Sequence, residues 1–303
     1  MPVEQDGPVV VGVDGSASSM DAVDVAAEEA TGRAVPLVIV HVTNDEPGER
    51  AAPSGVDVLE AAESRAYADH PSTSVRAELA VGEPADMLVA RSVGAGACML
   101  VVGHRRIDPR EPAAGSVAQR VATSSTVPVL VHRALDTMAP TVDEPWPVVV
   151  CLAGRPDDDQ VIQFAFAEAT LRGAPLRAVH IWPGSGTRGA TRNGFTAARD
   201  AADRMLVDSL TVWSEKFPEV AVHRVVRHGL DVPVGLTAAS RSAQLIVVGS
   251  SRRDGVHRSR VVESLVDRAA CSVAVVPEVV PGLPESLGSG RRPPSEPNAD
   301  GRT

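Results

Sequence analysis

The feature that most constrains this chain is that it says the same thing twice. An apolar run, Val9-Val10-Val11-Gly12-Val13, leads into Asp14-Gly15-Ser16. Far downstream, Val148-Val149-Val150-Cys151-Leu152 leads into Ala153-Gly154-Arg155. Met99-Leu100-Val101-Val102-Gly103 has its counterpart in Leu245-Ile246-Val247-Val248-Gly249, and each half closes on a further β-branched run, Val127 to His132 and Cys271 to Val276. Repetition in order and spacing means one structural unit used twice. We delimit the copies as residues 6–134 and 146–278. The polar stretch 135–145 is expected to be a linker, and the Pro-, Gly-, Ser- and Arg-rich stretch 279–303 a disordered tail. A length of 303 residues suits two domains.

Within each copy, short apolar runs alternate with helical patterns. In the first, strands are expected at Val9–Val13, Val35–Val42, Ser74–Val81, Met99–Gly103 and Val127–His132, and helices at 18–32, 56–69, 84–94 and 116–124. In the second, helices are expected at 157–172, 194–215, 232–241 and 259–269. Continuous apolar strands joined by helices predict a parallel sheet covered on both faces. The fold class is therefore α/β: two tandem doubly wound five-stranded parallel-sheet domains of strand order 3-2-1-4-5. In that order a ligand belongs past the carboxyl ends of the first and fourth strands, beside Asp14-Gly15-Ser16 and Gly103-His104-Arg105-Arg106. The last strand of each copy is a sheet edge, and edges are covered or paired.

Composition removes several function classes. Acidic residues outnumber basic ones 39 to 29, for a net charge of -10, which disfavours gripping nucleic acid by bulk charge. Aromatic residues make up 3 %, too few for base-stacking platforms. No apolar run reaches the roughly 18–20 residues of a membrane span, and no signal peptide is evident. Cys98, Cys151 and Cys271 show no metal spacing and read as reduced core thiols of a cytoplasmic protein. His41, His132 and His180 read as satisfied core or edge residues. Asp157-Asp158-Asp159 reads as helix-start acids rather than a metal cluster.

The combination Val11-Gly12-Val13-Asp14-Gly15-Ser16 with Ser19, then Val101-Val102-Gly103, Gly115-Ser116 and Val127-Pro128-Val129-Leu130-Val131, resembles the universal stress protein family in its tandem-domain form. ATP-binding members carry Gly, two residues, Gly, nine residues, Gly, then Ser or Thr. The resemblance implies that the Gly-Ser opens the last helix, where free N–H groups and the helix dipole hold phosphate. It implies an aspartate after the first strand for adenosine, and backbone near the end of the second strand for adenine. Carried onto this chain, the set is Asp14, Val42, Gly103, His104, Arg106, Gly115, Ser116 and Val117, with ATP as the cofactor. Two departures stand out in the first copy. Arg106 occupies the middle glycine, and residues 107–114 are eight rather than nine, with Pro109 and Pro112 among them. In the second copy Ala153 replaces the aspartate, Arg252 the middle glycine, and Val262-Glu263 the Gly-Ser.

Each residue has a plainer reading beside the functional one. Asp14 is either a nucleotide ligand or an acidic turn residue, Gly103 a ligand contact or a tight strand end, and Ser116 a phosphate ligand or an ordinary N-cap. Arg105, Arg106 and Arg110, like Arg252, Arg253, Arg258 and Arg260, are anion contacts or solvated loop. The expectation is a non-catalytic stress-response regulator that binds adenine nucleotide weakly through the first copy. The alternatives are an interaction scaffold with both sites degenerate, or a slow ATPase, which would need a positioned acceptor and a metal. Pairing of the two copies within the chain is expected. A homodimer and protein partners are left open.

Overall fold

The computed structural model describes residues 7–43, 54–104, 116–134, 145–155, 158–183, 192–229, 231–250 and 257–277. The first unit runs β1 (Val9–Val13), α1 (Ala17–Arg33), β2 (Leu37–Thr43), α2 (Gly55–Asp69), β3 (Val75–Val81), α3 (Pro84–Gly94), β4 (Met99–Gly103), α4 (Val117–Ser124) and β5 (Val129–His132). The second runs β6 (Val148–Cys151), α5 (Asp158–Leu171), β7 (Leu176–Pro183), α6 (Arg192–Lys216), β8 (Val222–Gly229), α7 (Val232–Ser240), β9 (Leu245–Ser250), α8 (His257–Arg268) and β10 (Ser272–Pro277). The expected linker, Pro145 apart, and the tail lie outside the described residues.

Both units have the expected strand order. They join in one ten-stranded sheet, β3-β2-β1-β4-β5-β10-β9-β6-β7-β8. Every pairing within a unit is parallel, whereas β5 and β10 pair antiparallel, Leu130 opposite Ala274. Each unit thus closes the other's edge, which is the intramolecular pairing expected from the sequence. Among the described residues no helix is long and apolar enough to cross a membrane.

Two helical layers cover the sheet. One core joins β1, α1 and α2 to α5 and α6 through residues such as Val11, Ala26, Ala62, Phe166 and Leu206. The other joins β4 and β5 to α3, α4, α7 and α8 through Leu88, Leu100, Val121, Leu236 and Leu265. Each core runs through both units. The long helix of the second unit contributes Trp213, which stacks on Phe217, as Phe217 does on Phe166. Packing is therefore the role of that tryptophan.

Several boundaries differ from the sequence expectation, each for a local reason. Strand β5 begins at Val129, not Val127, because Ser125 bonds across the preceding turn. Its Oγ donates to the Val127 carbonyl at 2.7 Å and accepts from the Val127 N–H at 3.0 Å. Strand β2 begins at Leu37 because the end of α1 reaches further. Ala34, at φ 55°, caps it, and the Val35 N–H still bonds the Ala30 carbonyl. Of the acids expected at the start of α5, Asp158 and Asp159 stand in its first turn and Asp157 lies outside the described residues. Asp158 turns back on the loop before it, as described below.

Where α1 and α5 end, four charged residues meet in the interior. Arg33 bonds both Glu29 and Glu168, and Arg172 bonds both Glu168 and Glu29. The Glu29 and Glu168 side chains are 3 % and 0 % exposed. Burial works to lower both guanidinium pKa values, but the two carboxylates outweigh it and hold Arg33 and Arg172 above their ordinary value. Burial, then the neighbouring Glu29 charge, pushes Glu168 up. The ring is alternating in sign and closed, the arrangement in which buried charge is tolerated.

Candidate functional site

The carboxyl ends of β1 and β4 lie side by side, with Gly12 opposite Val102. Past β1 the chain turns sharply at Gly15, φ 81°, a conformation that glycine adopts without strain. The Asp14 side chain is exposed and folds over this turn, Oδ1 accepting from the Ser16 N–H at 2.9 Å and from the Ser16 hydroxyl. Ser16 in turn caps α1. Beneath the turn, buried Ser19 accepts from the Asp14 N–H through its hydroxyl at 3.3 Å. The Nδ1–H of His41 donates to the Val13 carbonyl at 2.8 Å and pins the end of β1.

The second unit repeats this framework with one substitution that changes its charge. His180 donates to the Leu152 carbonyl at the same 2.8 Å. At the position equivalent to Ser19 stands Asp158, which is buried, and its Oδ2 accepts from the N–H groups of Ala153, Gly154 and Arg155 at 3.0, 2.7 and 3.0 Å. The first unit has a carboxylate on top of the turn and a neutral hydroxyl beneath. The second has alanine on top and a carboxylate beneath, so its turn amides and its helix start already hold an anion.

The other expected site residues are placed as follows. Val42, near the end of β2, is partly buried beside Ala80 of β3. Gly103 ends β4 against the first turn of α1; a Cβ there would lie 2.3 Å from the Ser18 carbonyl oxygen. Ser116 caps α4, its hydroxyl accepting from the Gln119 N–H at 3.2 Å, and Val117 is exposed. Arg106 and Gly115 lie outside the described residues. His104 is 6 % exposed, and its backbone N–H donates to the His132 carbonyl at 2.8 Å. The structure therefore brings Asp14 and Gly103 to one end of the sheet on adjacent strands, and carries His104 inward, toward β5.

Burial, then the Arg133 charge, lowers His104 to about 4. Burial also lowers His132, whose Nδ1 lies 3.2 Å from the Ser272 hydroxyl. Both rings are neutral near pH 7. The unfolded chain takes up protons near pH 6.5, before the folded one does, so stability is full above that pH and falls as pH drops toward 4. We expect His104→Gln to reduce the loss between pH 7 and 4.5 by on the order of 2 kcal/mol, measured by urea denaturation at both pH values. An unchanged pH dependence in that variant would refute the assignment.

The three thiols are held in the protonated form. Burial pushes Cys98 up to about 11 and Cys271 up to about 12, and raises Cys151 as well. Among the described residues no cluster of His, Cys, Asp and Glu could hold a metal ion.

Comparison with known proteins agrees with this architecture. The sequence model of the universal stress protein family matches residues 7–133 and again 147–277. Universal stress protein Rv2005c of Mycobacterium tuberculosis is 32 % identical over 300 residues, covering 92 % of this chain and 98 % of that one. Universal stress protein Rv1996 of the same organism is 28 % identical over 315 residues, covering 91 % and 95 %. In three dimensions the chain is similar to a universal stress protein from Archaeoglobus fulgidus, with a TM-score of 0.64 at 17 % identity over 90 % of this chain and 97 % of that one. With the family's domain matched in both halves and the fold repeated across one sheet, this chain belongs to the universal stress protein family.

Proposed function

We propose that the chain is a non-catalytic stress-response protein that binds adenine nucleotide, ATP in the first instance, through its first unit and not its second. The observation that carries this reading is the inverted charge of the two turns. In the first unit the Asp14 carboxylate stands exposed at the crevice, where it can accept from ribose hydroxyls, and Ser116 opens a helix at the far side. Neutral Ser19 leaves the positive end of α1 without a buried counter-charge beneath the turn. In the second unit Asp158 fills that role from within, and Glu263 stands where the Gly-Ser of ATP-binding relatives would be. A second anion there would be repelled. Arg106 and Gly115 complete the set by resemblance.

A scaffold reading, with both units devoid of ligand, is favoured by one observation: Asp14 already serves its own turn through Ser16. Thermal shift with ATP separates the two. A ligand at a hundredfold excess over its Kd stabilises by about 2.7 kcal/mol. We expect a shift of that order in the parent, retained in Asp158→Ser and lost in Asp14→Ala. Mass spectrometry of small molecules released on denaturation gives the stoichiometry. No shift at millimolar ATP and no released nucleotide leaves the scaffold.

A further inference from the structure

A cavity of about 540 Å³ lies where the two units meet and adjoins the crevice at Ser16 and His104. Its wall is the first turn of α1 (Ser16 and Ser18), the ends of β4 and β5 (His104 and Arg133), and the turn leaving α8 (Arg268). Asp14, Val42, Ser116 and Val117 take no part in it. Its volume falls in the roughly 300–1,000 Å³ range of small-molecule pockets.

Two independent observations say what it takes. The first is a set of hydrogen-bond donors suited to an anion. Helix α1 is 17 residues long, and its opening N–H groups have no partners within the helix. Arg133 and Arg268 face it across the cavity. Arg133 is held in place by the end of α8, donating to the Val266 and Asp267 carbonyls at 2.6 and 3.0 Å. Two carboxylates also reach this wall, and each has a partner: Asp21 pairs with Arg65 at 2.9 Å, and Asp267 accepts from Gln119. The second observation is an orphan. The Nδ1 of His104 is buried and, among the described residues, has no hydrogen-bond partner. A buried polar atom left unsatisfied costs free energy comparable to a lost hydrogen bond, and a ligand in the cavity would supply one.

We propose that this inter-unit cavity binds a small phosphate- or carboxylate-bearing molecule. The first turn of α1, Arg133 and Arg268 hold its anionic group, and His104 Nδ1 hydrogen-bonds a neighbouring polar atom. The site needs both units, because Arg268 belongs to the second. It shares His104 with the nucleotide set, but the proposal does not rest on that reading.

Isothermal titration calorimetry on the full chain, with inorganic phosphate, pyrophosphate and citrate as probes, tests this against sodium chloride at matched ionic strength. Saturable binding of at least one probe at a single site per chain is expected. Arg268→Gln, an exposed and foldable change, should weaken it about tenfold, the size of one charge-assisted hydrogen bond. His104→Phe should abolish it by filling the cavity, and His104→Asn, the smaller change, should weaken it. Heats indistinguishable from sodium chloride for all three probes overturn the proposal, as does binding unchanged in Arg268→Gln. Release of ATP from the nucleotide crevice is scored separately and should be the same in Arg268→Gln as in the parent.

Discussion

Glu168→Ala should cost about 3–5 kcal/mol, the loss expected when one member of a buried charge set is removed and its partners stay behind. The side chain is fully buried and accepts from both Arg33 and Arg172. Its removal leaves two largely buried guanidinium groups sharing one carboxylate, Glu29. Against a total stability of about 5–15 kcal/mol, that is a large fraction. Urea denaturation followed by circular dichroism measures it, and a loss below about 1 kcal/mol would show that the ring contributes little. Replacing all four residues by apolar ones of similar size should recover most of the loss, since a buried ion set and a well-packed apolar set are often close in stability. What the quadruple variant should lose is the definition of how α1 and α5 meet, visible as broadened amide resonances along both helices.

The second large effect is expected at Gly103. Its Cβ would sit 2.3 Å from the Ser18 carbonyl oxygen and 2.6 Å from its carbon. Those are backbone atoms of a helix start and have no rotamer to change. Gly103→Ala must push α1 off β4, at a cost of about 2–3 kcal/mol for overpacking, and it displaces the turn bearing Asp14 and Ser16. The equivalent Gly249 provides the control. A Cβ there meets a Val161 methyl at 3.0 Å, a side chain able to yield, so Gly249→Ala should cost well under half as much. Equal losses in the two variants, read by thermal denaturation, would show that the approach of β4 to α1 is not the cause. The glycine that resembles a ligand contact is thus required first by packing.

The architecture was readable because its signals are local and repeated. Apolar runs separated by helical periods set the strand order, and β4 and α3 fall on their expected residues. The plain reading of the histidines was also sound for His41 and His180, which pin matching strand ends. The site was less legible, because its decisive contacts link residues distant in the chain. Gly103 meets Ser18 only after β4 has been laid beside β1. Asp158 is the helix-start acid the sequence predicts, but its contacts to three loop N–H groups that precede it were not legible. The charge ring is built from two local pairs, Glu29 with Arg33 and Glu168 with Arg172, each four residues apart, and nothing local says that they meet. One signal was present: the offset that maps Ser19 onto Asp158 and His41 onto His180 also maps Glu29 onto Glu168 and Arg33 onto Arg172. A charged pair repeated in register on two copies marks a shared face.

The antiparallel join between β5 and β10 has one more consequence. Two separate copies meeting along such an edge would come apart on dilution, whereas here the tether keeps the second copy at millimolar effective concentration around the first. Association is thereby freed from expression level. A copy that is always present as a neighbour can give up its own chemistry and still complete the other's architecture, and the contrast between Asp14 and Asp158 has the form such a division of labour would take.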